Sequence, residues 1–202
     1  MSIIVATTCS EGIALAADSR QSYRNPKGEF RVVSDFATKL FKLSETIGVA
    51  TWGYAFLEGR TLKGLMDEFR DKPEIRDGTN IVEVCRLLKA FFDKHYKAHV
   101  SRNPRETVKE GKNAIGFFIA GYQEGHGELW EIGIPNLEPR KISDTKQNLG
   151  INWRGQYDVV TRLVLGFDPR WEAFAKRDAV LREHLSKVRE LLKKFEYRIP
   201  ID

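Results

Sequence analysis

The sequence predicts an α+β fold in which strands and helices occur in separate runs along the chain. Strand-like segments fill most of the first 52 residues, two amphipathic helical segments follow, and a second group of strands precedes further helices. Segregated runs of this kind indicate packed layers of sheet and helix, because alternating βαβ units would interleave the two types. The chain has 202 residues and no repeat or low-complexity linker, so we expect a single domain over residues 1–202.

Short strands joined by turns account for the first part of the chain. Residues 3–8 alternate as a β-strand, and after the turn CSEG the segment IALAAD returns as a second strand. A turn within a further hairpin is predicted by the sequence NPKG at 25–28. Two more strands, joined by a hairpin-sized connection, are predicted at 38–43 and 47–52.

Two helices are predicted next by apolar residues at helical spacing. The apolar face of the first consists of Leu62, Leu65, Met66 and Phe69. The second is predicted to run to about Lys97, and it is preceded by Asn80, which with Glu83 matches the pattern of a capping box.

The last part of the chain returns to strands and then to helices. Strands are predicted at 113–123 and 127–135, joined by the turn EGHG. A polar stretch separates them from a short helix that begins near Val159. The final helix is predicted as one continuous segment from about residue 170 to residue 196, with Asp178 on its exposed face.

The composition is that of an ordinary globular protein. Hydrophobic residues make up 42% and charged residues 30% of the chain, and we find neither an apolar run long enough to cross a membrane nor a signal peptide. Cys9 and Cys85 form no disulfide framework or zinc pattern, which favours the cytoplasm. The net charge is +5, but basic and acidic residues are mixed along the helices, which favours a solvated surface over a nucleic-acid partner.

The sequence lacks the motifs of several common catalytic and cofactor sites. It contains no G-x-S-x-G, P-loop, G-x-G-x-x-G or H-E-x-x-H motif. His95 and His99 are four residues apart, as in a metal pair, but no third ligand is evident. A solvated helix face is therefore the favoured interpretation, and we expect no metal or other cofactor.

The amino terminus offers a base that needs no histidine. A free α-amino group titrates near pH 7.7–8.0, and it can accept the proton of a hydroxyl on its own residue. Ser2 would provide both groups once Met1 is removed, which a small second residue generally permits. The strand that begins at the next residue would hold both groups rigidly.

Several features occur in a fixed order within the first 55 residues. A strand that starts at Ser2 is followed by Gly12, by LAAD at 15–18 with Arg20, by KLF at 39–41, and by a strand that ends at Gly53. In this order they resemble the proteasome β-subunit family of N-terminal nucleophile (Ntn) hydrolases, including its simpler bacterial relatives. The resemblance implies an αββα sandwich, in which two antiparallel sheets lie between layers of helices.

The resemblance also selects the nucleophile. In the family it lies sixteen residues before the aspartate, which is the separation of Ser2 from Asp18. Thr7 and Thr8 lie only eleven and ten residues before Asp18, and their use would require cleavage within the first strand. The family usually has threonine at this position, and both residue types supply an Oγ.

The resemblance implies a role for each remaining residue of the motif. Lys39 would stabilise the alkoxide that forms on Ser2, and Asp18 would orient Lys39. Arg20 would brace this ionic cluster, and Gly53 would offer its N–H to the oxyanion. For the substrate, Thr51 would line the first specificity pocket, with Ala55 and Gln21 at its border.

The implied activity is hydrolysis of amide bonds in a peptide or an unfolded protein. The resemblance further implies a homo-oligomer built as a ring or as stacked rings, with no nucleic acid and no membrane as partner. The sequence does not identify a substrate or an ATPase partner.

The chain departs from the family pattern at three places. Arg154 stands where the family has a serine in a G-S-G stretch, Asp178 is not followed by the Ser-Gly of a D-x-x-S-G loop, and the helix and strand that end the family fold have no counterpart before residue 202. Three alternatives to a peptidase therefore stay open: a catalytically degenerate structural subunit, a non-proteolytic Ntn amidohydrolase, and a nucleic-acid-binding module. A shortened chain and an abbreviated fold both fit the third departure.

Overall fold

The computed structural model describes residues 2–24, 29–156, 158–168 and 170–195. Met1 and the turn predicted at 25–28 lie outside these residues. The chain divides into two compact units, Met1–Gly155 and Gln156–Asp202. The single domain expected over 1–202 stays a prediction.

All the strands of the described residues lie in the first unit. In chain order they are β1 (Ile3–Cys9), β2 (Gly12–Ala17), β3 (Gln21–Arg24), β4 (Phe30–Ser34), β5 (Leu40–Lys42), β6 (Ile47–Gly53), β7 (Phe56–Leu57), β8 (Arg60–Thr61), β9 (Ile115–Gln123), β10 (His126–Ile134), β11 (Leu137–Asp144) and β12 (Gly150–Gly155). The helices of this unit are α1 (Leu62–Arg70), α2 (Ile81–Arg102) and a short 3₁₀ helix (Pro104–Glu106).

Two antiparallel sheets form the framework of the first unit. One has three strands in the order β12-β1-β2, and the other has five in the order β11-β10-β9-β6-β5. The ribbons β3–β4 and β7–β8 are separate two-stranded pairs. The predicted α+β class with antiparallel sheets is therefore confirmed.

The two sheets pack face to face through the inward side chains of alternate residues. In β1 every second residue is buried, as the sequence alternation predicts. The core between the sheets consists of Ile4, Ala6, Ala50, Phe118, Ala120 and Leu129, with Ile13, Leu15, Ala17, Trp52 and Ile142 packed around them. This core fixes the end of β1 that follows Ser2.

The opposite face of the five-stranded sheet is covered by α1 and α2. The buried residues of this second core include Val49, Ile119 and Ile132 from the sheet, and Leu65 and Phe92 from the helices. Both helices begin at side-chain caps, because Thr61 Oγ1 accepts from Gly64 N and Asn80 Oδ1 accepts from Val82 N.

The strands β11 and β12 were not predicted from the sequence. They occupy the stretch between 137 and 155, whose polar sequence favours a connection over strands. Both are edge strands of their sheets; the exposed positions of β11 carry charged residues, and β12 is half-buried along its length up to the exposed Gly155. Edge strands need less apolar patterning than central ones, which explains the weak signal.

The second unit is helical within the described residues. It contains α3 (Asp158–Leu165), α4 (Trp171–Ala175), α5 (Ala179–Glu183) and α6 (Leu185–Phe195). The prediction of one continuous final helix, with Asp178 on its face, was wrong. Asp178 has extended backbone and is an N-cap, because its Oδ1 accepts from Leu181 N at 2.9 Å and so begins a new helix.

Within the described part of the chain, no helix has both the length and the apolar character needed to cross a membrane.

The second core predicts a clear contrast between two positions of α2. We expect Phe92→Ala to lower the free energy of unfolding by about 3–5 kcal/mol, since the ring is fully buried and packs 4.7 Å from the ring of Phe117. The control Val82→Ala removes an apolar side chain that is 39% exposed, and should change it by no more than about 0.5 kcal/mol. Urea unfolding measures both, and equal losses would contradict the layer assignment.

Candidate active site

The carboxylate of Asp18, directly after β2, joins the two sheets at one end of the sandwich. Its Oδ1 accepts from the backbone N–H of Ile3 at 2.6 Å and from Lys39 Nζ at 2.8 Å. Its Oδ2 accepts from Arg20 N at 3.1 Å. The first residue of β1 and the lysine ammonium therefore meet at a single oxygen atom.

Lys39 lies directly before β5, and its side chain is only 8% exposed. Besides Asp18, its ammonium contacts the carbonyl oxygen of Arg20 at 2.6 Å. Its own carbonyl accepts from Thr51 N at 3.0 Å, which holds it beside β6. A buried ammonium of this kind needs an anionic partner close by, and Asp18 supplies it.

The hydrogen bonds at Asp18 determine its charge state. Burial raises the pKa of this carboxyl, but the hydrogen bonds from Lys39 and Ile3 outweigh burial and hold the pKa below its usual value. Asp18 is therefore an anion at neutral pH. Both of its oxygens already accept hydrogen bonds, from Ile3, Lys39 and Arg20.

Ser2 is half-buried at the entrance to β1. The following residue, Ile3, is fixed on both sides, because its carbonyl accepts from Asp18 N at 3.1 Å and it pairs with Gly155 across β12. Gly155 has a φ of +88°, and a Cβ there would collide with the Ser2 carbonyl oxygen. The chain thus requires glycine at the position that packs on Ser2.

The direction of the Gly53 N–H follows from its neighbours in β6. Thr51 N bonds to Lys39 on one side of the strand, and Tyr54 N bonds to the carbonyl of Ala114 on the other. Because N–H groups alternate along a strand, the Gly53 N–H faces the side of Lys39, past the start of β5. Its φ is +103°, and a Cβ would collide with the backbone at Ala114.

The residues predicted to border a specificity pocket occupy different environments. Thr51 is buried, and its hydroxyl donates to the carbonyl of Gly116 at 3.1 Å. Gln21 is half-buried at the start of β3, next to Arg20. Ala55 is half-buried two residues after Gly53. Thr51 N binds the carbonyl of Lys39 and Gln21 follows Arg20 in the chain, whereas the carbonyl of Ala55 accepts from Leu62 N at the start of α1.

Arg20 contributes to the cluster through its backbone. Its amide and carbonyl contact Asp18 and Lys39, whereas its guanidinium binds Asp35 at 2.6 Å on the surface. The role implied for its side chain stays a prediction.

Arg154 points into the sandwich, where its guanidinium binds Glu131 of β10. Glu131 was not singled out from the sequence. The available signal was a charged residue within the apolar strand ELWEIGI, at a position that alternates inward with Leu129.

The histidines of α2 bind neighbouring acidic residues. His95 Nδ1 is 2.8 Å from a carboxylate oxygen of Glu58, and His99 Nε2 is 2.9 Å from one of Glu106. His99 Nδ1 accepts from Glu58 N at 3.0 Å. Across the described residues, no group of three or more His, Cys, Asp or Glu side chains is arranged to hold a metal ion.

Comparisons with known proteins identify the fold. No protein-family model matches the chain, and no curated protein matches it. Among solved structures, Anbu (ancestral beta-subunit) from Yersinia bercovieri matches with a TM-score of 0.55 at 18% identity, over 86% of this chain and 70% of that one. Anbu from Hyphomicrobium sp. strain MC1 matches with a TM-score of 0.51 at 13% identity, over 83% and 66%.

A third match is the Anbu complex of Pseudomonas aeruginosa, which forms a helical assembly. Its TM-score is 0.50 at 14% identity, and the match covers 81% of this chain. This chain spans 64% of the Pseudomonas chain, which is less than two thirds of its length. The chain has the proteasome-like Ntn-hydrolase fold of these proteins, and the predicted fold class is confirmed.

The pKa of Asp18 predicts a pH-dependent contribution to stability. Because the pKa is lower in the folded state, the stabilisation is fully present above the unfolded value of about 3.9 and is lost as the pH falls through the folded value. We expect Asp18→Asn to lower the free energy of unfolding at pH 7, and the difference from wild type to shrink below about pH 4. Denaturant unfolding across this pH range measures it.

The matched control is Asp35→Asn, which breaks the exposed pair with Arg20. Its effect at pH 7 should stay within about 0–1 kcal/mol. A loss as large as that of Asp18→Asn would show that the site pair has no special role in stability.

The close approach of the backbone at Gly53 predicts that alanine there lowers stability more than alanine at a glycine that has only a positive φ. We expect Gly59→Ala, at φ +75° with open space around it, to cost about 1–2 kcal/mol. Gly53→Ala should cost a further 1–3 kcal/mol or so, because the new Cβ meets the backbone at Ala114. Thermal unfolding of both variants compares them, and equal costs would refute the close approach.

Proposed function

We propose that the chain is an N-terminal nucleophile hydrolase that cleaves amide bonds of peptides, with Ser2 as nucleophile after removal of Met1. The observation that carries the proposal is the shared oxygen of Asp18, which accepts from both the Ile3 amide and Lys39 Nζ. It brings the residue that follows Ser2 to a buried ammonium. The fold supports the same conclusion.

In the first step the Ser2 hydroxyl attacks the substrate carbonyl carbon. Its proton passes to the Ser2 α-amino group, directly or through one water, and a C–O bond forms while the carbonyl becomes an oxyanion. The N–H of Gly53 donates to this oxyanion, and the positive charge of Lys39 stabilises the developing alkoxide. Asp18 keeps the ammonium in place.

The tetrahedral intermediate then loses its amine. The C–N bond breaks as the protonated α-amino group returns the proton to the leaving nitrogen, which leaves an ester on Ser2 Oγ. A water molecule attacks this ester with the same amine as base, and it releases the carboxylic acid and restores the hydroxyl. The net reaction consumes one water for each amide bond.

The bordering residues suit a role in substrate selection. Thr51 is tied to Gly116 and would form a fixed wall of the first pocket, whereas Ala55 and Gln21 would form its rim. Peptides and unfolded protein segments are the proposed substrate class, and no cofactor takes part.

We further propose that copies of the chain associate into a homo-oligomer, as a ring or stacked ring. The helical assembly of the Pseudomonas Anbu complex supports self-association of this fold. The proposed location is the cytoplasm, which suits the free thiols of Cys9 and Cys85.

One observation favours a second function, that of a structural subunit which assembles without cleaving. Arg154 occupies the position of a serine in the resemblance, and a guanidinium has no acceptor for the Ser2 amine. Such a subunit would keep the Asp18–Lys39 pair for stability only.

The deciding experiment combines intact mass with a peptide epoxyketone, an electrophile that needs a hydroxyl and an amine on one residue. We expect the purified protein to lack Met1 and to gain one adduct on Ser2. Ser2→Ala and Lys39→Met should lose the adduct, Lys39→Met because the ammonium charge is removed.

Thr7→Ala serves as the control, since Thr7 lies on the same strand and should leave labelling unchanged. Retained Met1 or an unlabelled wild-type protein would overturn the peptidase proposal and favour the structural subunit, and an adduct that survives in Ser2→Ala would move the nucleophile elsewhere.

A further inference from the structure

The sandwich contains a second polar cluster, formed by Arg154 and Glu131. Arg154 is one residue along β12 from Gly155, which contacts Ser2. Arg154 of β12 pairs with Ile4 of β1, and the next pair along the ladder is Gly155 with Ile3. Gly155 packs against the carbonyl of Ser2. Any displacement of β12 at Arg154 would therefore reach Ser2 through a single step of the ladder.

The side chain of Arg154 is held at every guanidinium nitrogen. Nε and Nη2 donate to the two carboxylate oxygens of Glu131, the second at 3.0 Å, and Nη1 donates to the carbonyl of Trp153 at 2.8 Å. The guanidinium carbon lies 5.6 Å from the centre of the Phe118 ring. A bidentate contact of this type fixes orientation as well as distance.

Glu131 belongs to the other sheet, and its side chain is only 3% exposed. It lies on β10 opposite Phe118, whose ring is part of the core between the sheets. Burial raises the pKa of Glu131, but the hydrogen bonds from Arg154 and Arg140 outweigh burial, and the pKa is held below its usual value. The carboxylate is therefore a charged anchor within the five-stranded sheet.

We propose that Glu131 and Arg154 are positioning residues for Ser2: the ion pair ties β12 to the five-stranded sheet and so fixes the amino terminus beside Lys39. This proposal rests on the proposed function. Lys39 precedes β5 and Glu131 lies on β10 of the five-stranded sheet, whereas Ser2 precedes β1 and Arg154 lies on β12 of the three-stranded sheet. The ion pairs Asp18–Lys39 and Arg154–Glu131 therefore hold the two sheets together on either side of Ser2.

Arg140 provides a matched control because it binds the same carboxylate. Its Nε donates to Glu131 at 3.0 Å, but it lies on the edge strand β11 and is 54% exposed. It makes no ladder contact with β1, which pairs with β12 and β2. Loss of either arginine weakens the Glu131 cluster, and only loss of Arg154 frees the strand next to Ser2.

The experiment compares Arg154→Met, Arg154→Lys and Arg140→Met with wild type by epoxyketone labelling of Ser2. We expect Arg154→Met to slow labelling by about tenfold to a hundredfold, the size of effect produced by misplaced reacting groups. Arg154→Lys keeps the charge but not the bidentate fork, and should lie between this variant and wild type. Arg140→Met should stay within about threefold of wild type.

The pH profile of labelling separates positioning from general destabilisation. In the proposed geometry the Ser2 amine is close to both the Lys39 ammonium and the Asp18 carboxylate, so a displacement of β1 changes the balance of these two charges at the amine. The pH midpoint of labelling in Arg154→Met should therefore differ from that of wild type, and that of Arg140→Met should not. All rates are measured below the unfolding temperature of each variant.

Amide hydrogen exchange at Ile3 tests whether the Arg154–Glu131 pair holds β1 in place. This measurement does not depend on whether Ser2 reacts. Exchange should be faster in both Arg154 variants and unchanged in Arg140→Met, because the Ile3 N–H depends on the position of β1 against Asp18. If Arg154→Met does not fold, Arg154→Lys decides the question. The positioning role is overturned if Arg154→Lys exchanges at Ile3 and labels like wild type, or if Arg140→Met loses as much labelling as the Arg154 variants. A wild-type protein that is not labelled overturns the proposed function alone.

Discussion

A single carboxylate oxygen connects the parts of the molecule on which the proposed chemistry depends. Asp18 Oδ1 receives the first amide of the strand after Ser2 and the ammonium of Lys39. The amide belongs to the three-stranded sheet, and Lys39 precedes a strand of the five-stranded sheet. A buried ammonium requires this anion, because leaving it unpaired would cost several kcal/mol. The need of the Lys39 ammonium for the Asp18 carboxylate therefore fixes where the two sheets meet.

Buried polar contacts hold the sandwich at other points along β1. At the far end of the strand the hydroxyls of Thr8 and Ser143 lie 2.7 Å apart, and next to Ser2 the pair of Arg154 and Glu131 joins the sheets. Apolar packing between two sheets tolerates small sliding, whereas a hydrogen bond between defined atoms does not. These contacts select one register for β1, and the position of Ser2 follows from that register.

The sequence was sufficient for features that depend on neighbours close along the chain. The alternation of the first strand, the cap at Asn80 and the LAAD segment followed by Lys39 predicted β1, α2 and the fold class. Edge strands carry little apolar pattern, so β11 and β12 went unrecognised. The partner of Arg154 is 23 residues away on another sheet, and only the packed structure brings Glu131 to it.

The proposed mechanism needs a base for Ser2, and the surroundings of Asp18 and of the α2 histidines are relevant to that choice. Asp18 is held as an anion of low pKa by donors from Ile3, Lys39 and Arg20, and a carboxylate stabilised in this way is a poor proton acceptor. His95 and His99, on the helix layer, are bound to Glu58 and Glu106. In the proposed mechanism the base is the α-amino group, which lies on the same residue as the hydroxyl, and its position depends on how firmly β1 is held.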